Sequence, residues 1–352
     1  MGIAAQASNH RWGRSCGGRI GPKWYLPQIE RDPPDMSTIV VDTETRSRAR
    51  AIFPTLTVTA WISTVLLILV GGIVRVTGFG LGCPDWPLCY GQAIPPGFTE
   101  AWVEFSHRMF GALTSIQIFT LAAIAWREYR QEHWIFRPAV IVAVLLVIQI
   151  GLGGLHVIME IPPETGLIHT GVAMMIVGLL ALLLARSAPF AQRLAASAHD
   201  SLLGGRLPAL IAFTTGASYL LLLTGSYVTR TGASLACLDF PLCGAIEQAT
   251  QRLVDIHMLH RLTAFTVAGL AIAVVAWIFR RTQDRGLRRF AIVLSGLIVI
   301  QFGLGISNVF FLLPMWSRVL HLTVGASIWS ALVILWTVTR QNFALSEQPV
   351  SA

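Results

Sequence analysis

Four histidines stand at related places in this chain: His107 and His169 in its first half, His260 and His321 in its second. Each falls a few residues inside one end of a long apolar run. An ionisable side chain in such a run is costly and marks function by default. A neutral imidazole is also a common metal ligand. Two imidazoles on facing helices, at equal depth, can hold one heme iron from both sides. One pair per half gives two such sites. Hydrogen bonding between helices is the plainer use of a histidine in a membrane, and four histidines in matched positions favour ligation over it. His156 matches Asn308 and is read as a polar packing residue, while His10, His133 and His199 fall in the tail or in connections and are read as surface residues.

Around these ligands the two halves differ. Glu104 lies three residues before His107, on the same helix face, and its equivalent in the second half is His257. One half thus places a carboxylate beside its ligands and the other does not. This points to divided labour, with one site that reacts and one that holds a permanent cofactor. The competing use for Glu104 is to cap the start of its helix. Arg108 and Arg261 directly follow His107 and His260. A guanidinium there could pair a heme propionate or simply snorkel to the interface.

Of the five cysteines, Cys16 stands alone and the others form two equally spaced pairs, Cys83/Cys89 and Cys237/Cys243. A disulfide within each pair is expected in an oxidising location, as a staple across a turn rich in Pro and Asp. A redox pair and a zinc site shared between the loops are the alternatives. Neither pair reads Cys-x-x-Cys-His, which disfavours covalent heme attachment.

The elements that must position these groups are membrane spans. Of 352 residues, 54% are hydrophobic and 12% charged, and the mean hydropathy is +0.64. A soluble domain carries about 25% charged residues. Apolar runs near 55–76, 103–126, 137–158, 165–186, 207–229, 257–279, 288–310 and 317–339 are each long enough to cross a bilayer. The net charge of +8 does not indicate nucleic acid, because the arginines sit between apolar runs and no nucleic-acid motif is present. They crowd the connections after the second, fourth and sixth runs and flank the first. That bias predicts two cytoplasmic termini, with the cysteine loops, 77–102 and 230–256, outside.

The second half repeats the first. Gly71 to Cys89 reads GGIVRVTGFGLGCPDWPLC and Gly225 to Cys243 reads GSYVTRTGASLACLDFPLC. Ile148-Gln149-Ile150-Gly151-Leu152-Gly153 matches Ile300-Gln301-Phe302-Gly303-Leu304-Gly305, and all the matches fall at offsets of 152 to 154 residues. The predicted fold is an all-α integral membrane protein. Its eight transmembrane helices form two parallel four-helix-bundle repeats, with pseudo-twofold symmetry along the membrane normal. Residues 1–54 are expected as a disordered cytoplasmic tail, 55–186 as the first half, 187–206 as a cytoplasmic linker, 207–340 as the second half and 341–352 as a second tail. Met36 is a candidate true start within the first tail.

Taken together, Glu104-Phe-Ser-His107-Arg108, Leu-Gly-Cys83-Pro-Asp-Trp-Pro-Leu-Cys89, His169, His260-Arg261 and His321 resemble the heme A synthase family, in its bacterial cysteine-containing branch. The resemblance runs from about residue 55 to 340. It implies an enzyme of the plasma membrane that oxidises a methyl group of heme O to a formyl group, through hydroxylated intermediates, to make heme A for cytochrome oxidase. It implies that His260 and His321 hold a resident heme B, that His107 and His169 receive heme O, and that Glu104 acts at the reacting edge. For Cys83 and Cys89 it implies electron or heme delivery, and for Cys237 and Cys243 a structural role. A heme O synthase and an electron-transfer protein are the partners it suggests. The alternatives are a diheme b-type electron carrier without enzymatic activity and a heme transporter or chaperone subunit. Heme O synthase itself is rejected, because no span carries the aspartate cluster that a magnesium-bound diphosphate needs.

Overall fold

The computed structural model describes residues 36–202, 206–244 and 250–341, with side chains from Arg48. The expectations for His10, Cys16 and the outermost parts of both tails lie outside the described residues. The described residues form nine α-helices. These are α1 (Met36–Thr77), α2 (Thr99–Glu128), α3 (His133–Ile158), α4 (Pro163–Ser187), α5 (Pro189–Leu202), α6 (Leu207–Arg230), α7 (Gln251–Arg281), α8 (Arg285–Phe310) and α9 (Met315–Gln341). All but α5 are long and apolar enough to cross a bilayer, so the eight predicted spans are present. Residues Glu44–Ala352 form one compact unit that contains them.

Two expectations are corrected. The first tail was taken to end at residue 54, but the helix that carries the first span already begins at Met36. Helix propagation adds one hydrogen bond per residue once a span is nucleated, so it can run on past the apolar segment. The stretch 187–206, read as a linker, holds α5. Ala188, Ala191, Leu194, Ala195 and Ala198 are buried against Leu287 and Ala291 of α8 and Val338 of α9. Their spacing of three and four residues makes one apolar stripe, and burial of that stripe stabilises a helix too short to stand alone.

The packing has an inner pair. Half of the membrane window of α4 and 44% of that of α9 is buried, against 17–33% in the other spans. One core joins α1 to α4 through Phe53, Ala60, Ile118, Leu121, Val142 and Leu183. A second joins α6 to α9 with α5, through Ile211, Val274, Ile278, Ala291 and Leu335. Between them, Ile68, Met174, Val177 and Ala326 form the seam. Hydrogen bonds cross it: Trp329 Nε1 donates to the Met174 carbonyl at 2.9 Å, Tyr219 to the Gly171 carbonyl at 3.2 Å, and Trp61 Nε1 to Ser330 Oγ at 3.1 Å. Such bonds help hold helices together where lipid supplies no hydrophobic drive. Gly178 is required here, since a Cβ would lie 2.7 Å from Trp329 Nε1.

Matched turns join the helices. α3 turns into α4 through Glu160 and Ile161, and α8 into α9 through Leu312 and Leu313, all four at positive φ. The amide of Ile161 donates to the His156 carbonyl at 2.8 Å, and that of Leu313 to the Asn308 carbonyl at 2.9 Å. These paired reversals start α4 and α9 at corresponding places, which sets the positions of His169 and His321.

Candidate functional site

Each of the four histidines stands on its own helix, near the N-terminal end of α2, α4, α7 or α9, and each ring faces a glycine of the preceding helix. A Cβ on Gly71 of α1 would lie 2.9 Å from Cε1 of His107, and one on Gly225 of α6 would lie 2.9 Å from Cε1 of His260. Gly153 of α3 stands in the same relation to His169 at 3.5 Å, and Gly305 of α8 to His321 at 3.3 Å. The glycines remove the bulk that would push the rings out of place. Within each half the two imidazoles are close enough to interact electrostatically: His107 with His169, and His260 with His321.

The hydrogen bonds treat the ring nitrogens differently. The side-chain amide of Gln149 donates to His169 Nε2 at 3.0 Å, and that of Gln301 to His321 Nε2 at 3.3 Å. An amide nitrogen only donates, so each Nε2 accepts that bond through its lone pair, and a metal ligated there would take the place of the amide proton. Nδ1 of His107, His169 and His321 is buried without a partner. His260 differs. The Thr224 hydroxyl gives its proton to the Leu221 carbonyl at 2.9 Å and therefore accepts from His260 Nδ1, 3.2 Å away. With Nδ1 as the donor in that bond Nε2 is left bare, the way an outer hydrogen bond orients an imidazole that binds a metal. The residue equivalent to Thr224 in the first half is Val70, so His107 has no such tether.

Among the described residues no group of three or more His, Cys, Asp or Glu side chains could cage a metal ion. Two imidazoles per half suit a metal whose remaining in-plane donors come from a macrocycle. The second half has a cavity between its helices, open on one side. Its walls include His257, His260, His321, Gln301, Arg75 and Arg318. The donor set, the glycine seats and the orphaned ring nitrogens all fit a heme.

Glu104 is 5% exposed, and its Oε1 lies 3.2 Å from Arg108 Nε. Arg108 also reaches the first cysteine loop, where it donates to the carbonyls of Cys83 at 3.0 Å, Asp85 at 2.9 Å and Leu88 at 2.6 Å. Arg261 repeats the grip on the second loop, with the carbonyls of Cys237 at 2.8 Å, Asp239 at 2.6 Å and Pro241 at 3.2 Å. Of the two uses open to these arginines, a propionate contact and snorkelling, neither describes what is seen: their donors go to these loop carbonyls. A guanidinium offers a fixed fork of N–H groups, and loop carbonyls closed by a disulfide present several acceptors to it at once.

Both expected disulfides are present, Cys83–Cys89 with Cα atoms 4.6 Å apart and Cys237–Cys243 at 5.5 Å. A zinc site shared between the loops is therefore excluded. In the first loop the Asp85 carboxylate accepts from the amides of Tyr90 at 2.6 Å and Gly91 at 2.7 Å. The hydrogen bond from Gly91 leads in holding this carboxyl below its ordinary value. Trp86 of that loop packs against Gly154 of α3, close to the His169 site. His156 is a packing residue, as read: its Nδ1 lies 2.6 Å from the Thr165 hydroxyl, and its ring stacks on that of His169 with centroids 6.4 Å apart.

Comparison with known proteins now separates the readings. The family model described as COX15-CtaA, cytochrome oxidase assembly protein, matches residues 54–103 and 98–333. The chain belongs to the COX15-CtaA family. Three curated relatives carry the name heme A synthase. The Alkalihalophilus pseudofirmus protein is 28% identical over 275 residues, 77% of this chain and 92% of its own length. The Halalkalibacterium halodurans protein is 27% identical over 306 residues, 85% of this chain and 99% of its own length. The Bacillus mycoides protein is 28% identical over 260 residues, 71% of this chain and 83% of its own length. As a COX15-CtaA member with eight apolar spans, the chain is a multi-pass membrane protein.

Thr224 carries one prediction for this COX15-CtaA protein. Loss of an outer-shell hydrogen bond to a ligating imidazole costs roughly 10–100-fold in affinity for the metal group. For a heme held through His260, Thr224→Val is expected to loosen it by that amount and leave the first half unchanged. Heme retained per chain after competition with apomyoglobin checks this. Unchanged retention would remove Thr224 from the site.

Proposed function

We propose that this protein oxidises a methyl group of heme O to a formyl group, giving heme A for a cytochrome oxidase. The family match and the relatives named heme A synthase support this reading. The observation that carries it is the unequal furnishing of two similar histidine pairs. In the second half Thr224 tethers His260, and His257 occupies the place of a carboxylate. In the first half His107 is untethered and Glu104 stands one turn away, in a buried ion pair with Arg108. A tethered ligand suits a group that stays, and an untethered one suits a group that enters and leaves.

On this reading His260 and His321 hold heme B, while His107 and His169 receive heme O. When bound, heme B supplies one-electron redox chemistry. The rest of the work falls to the chain's own residues. His107 and His169 fix the plane and depth of the substrate ring. Arg108 holds Glu104 in one rotamer, as a carboxylate able to take a proton or to stabilise positive charge at the reacting edge. The methyl carbon is hydroxylated twice, first to the alcohol and then to the geminal diol, with two electrons balanced at each step through the proposed electron-transfer partner, and the diol then loses water to give the aldehyde. The two cysteine loops face outside and both termini face the cytoplasm. Heme O synthase and an electron-transfer protein are the proposed partners, with Cys83 and Cys89 assigned to electron or heme delivery.

The test is to express the protein beside a heme O source, extract the hemes and identify them by chromatography and mass. Heme A or its hydroxymethyl precursor is expected, and neither from His107→Ala. Heme B alone, in cells shown to contain heme O, would favour the diheme electron carrier instead.

A further inference from the structure

Three arginines near the histidine ends of the helices have no structural task that accounts for them. Arg75 closes α1, Arg230 closes α6, and Arg318 opens α9. Arg75 lies close enough to Arg230 and to Arg318 for each to repel it, and none of the three makes an ion pair with a carboxylate among the described residues. Arg75 Nη1 donates to the Thr229 hydroxyl at 3.0 Å, but its Nε is buried without a partner. Arg230 Nε is buried without a partner as well. A snorkelling arginine puts its head in water, and a buried N–H left unmade costs stability. Like charges drawn together with unmet donors are the footprint of an anion site.

Each of the two arginines points into the other half. Arg75 belongs to a first-half helix, yet it lines the second-half cavity beside His260 and His321, with Arg318 on the same wall. Its charge acts on His321. Arg230 belongs to a second-half helix, yet its guanidinium lies directly against Gly166 of α4, three residues before His169. Its charge acts on His156 and His169. Arg108 and Arg261, the arginines nearest the ligands in sequence, are already committed to loop carbonyls.

We propose that Arg75 and Arg318 bind the carboxylates of the heme held by His260 and His321, and that Arg230 binds those of the heme received by His107 and His169. The proposal rests on the heme reading above. In each half, an arginine lent by the other half anchors the acidic edge of the ring.

The experiment compares heme bearing free carboxylates with its dimethyl ester, titrated into the full chain in detergent after growth without heme and followed by the Soret band. His169→Ala isolates the second-half site and His321→Ala the first. In the His169→Ala chain, Arg75→Gln is expected to weaken binding of free-acid heme roughly tenfold or more and to leave the ester within about twofold. Arg75→Lys should recover part of the loss. Arg230→Gln should behave likewise in the His321→Ala chain. An equal loss for acid and ester would assign the arginines to packing and overturn the proposal, as would no loss for either. If the unsubstituted chain took up neither heme, the heme reading would fail and the proposal with it.

Discussion

Glu104→Gln is expected to bind heme O and to leave it unoxidised. The substitution keeps the side chain's volume, and the amide oxygen can still accept from Arg108 Nε, now 3.2 Å from the carboxylate. Arg108 also keeps its bonds to the carbonyls of Cys83, Asp85 and Leu88, so the loop stays in place. His107 and His169 are untouched. What is lost is a group that can carry a proton, and such a group contributes about 10²–10⁴-fold to a rate. Heme A yield should therefore fall by that order while the spectrum of bound heme O persists. Normal heme A yield would remove Glu104 from the reaction. Loss of heme binding together with loss of yield would make it a structural residue of the loop clamp.

His321→Ala and His169→Ala should fail in different ways. On the proposed assignment, His321→Ala removes one of two ligands from the resident group, and the purified protein should carry heme at background level. His169→Ala should keep its resident heme in full, with an unchanged low-spin spectrum, and yet make no heme A. Both substitutions open space beside a glycine seat, at Gly305 or Gly153, so any general loss of folding should be similar in the two. Heme content per chain and the reduced-minus-oxidised spectrum separate them. Equal heme loss in both variants would overturn the division between resident and substrate sites.

The spans and the matched places of the four histidines were legible because both rest on one-dimensional signals. Apolar runs of span length predict membrane helices directly, and the repeat singles out His107, His169, His260 and His321 by placing each at the start of a corresponding run. The glycine seats lay within the same signal: Gly71 and Gly225, and Gly153 and Gly305, fall inside the matched segments, but their use is to clear a ring on another helix. Gln149 and Gln301 also stood in a matched motif, and only the fold brings them to Nε2. The grip of Arg108 and Arg261 on the cysteine loops was not legible, because a long flexible side chain leaves its direction open and the acceptors are carbonyls invisible in the residue types. Thr224 went unnoticed because its partner lies on another helix, 36 residues away. α5 carried a readable three-and-four spacing of Ala188, Ala191, Leu194, Ala195 and Ala198, masked by the polar residues between them.

The inner pairing of α4 with α9 has a consequence for biosynthesis. Helix α4 emerges from the ribosome with the first half, but the partners of its seam face, Trp329 for the Met174 carbonyl and Ala326 for Val177, reside on the last span to be made. Until α9 inserts, that face borders lipid or a chaperone, and Gly178 lacks the indole that fills its groove. The nascent chain thus passes through a long interval in which four spans are in the bilayer but their seam is open, and insertion of the final helix closes both halves together. Nonsense mutations anywhere in α9 should accordingly send the entire polypeptide to membrane proteolysis, with no surviving first half.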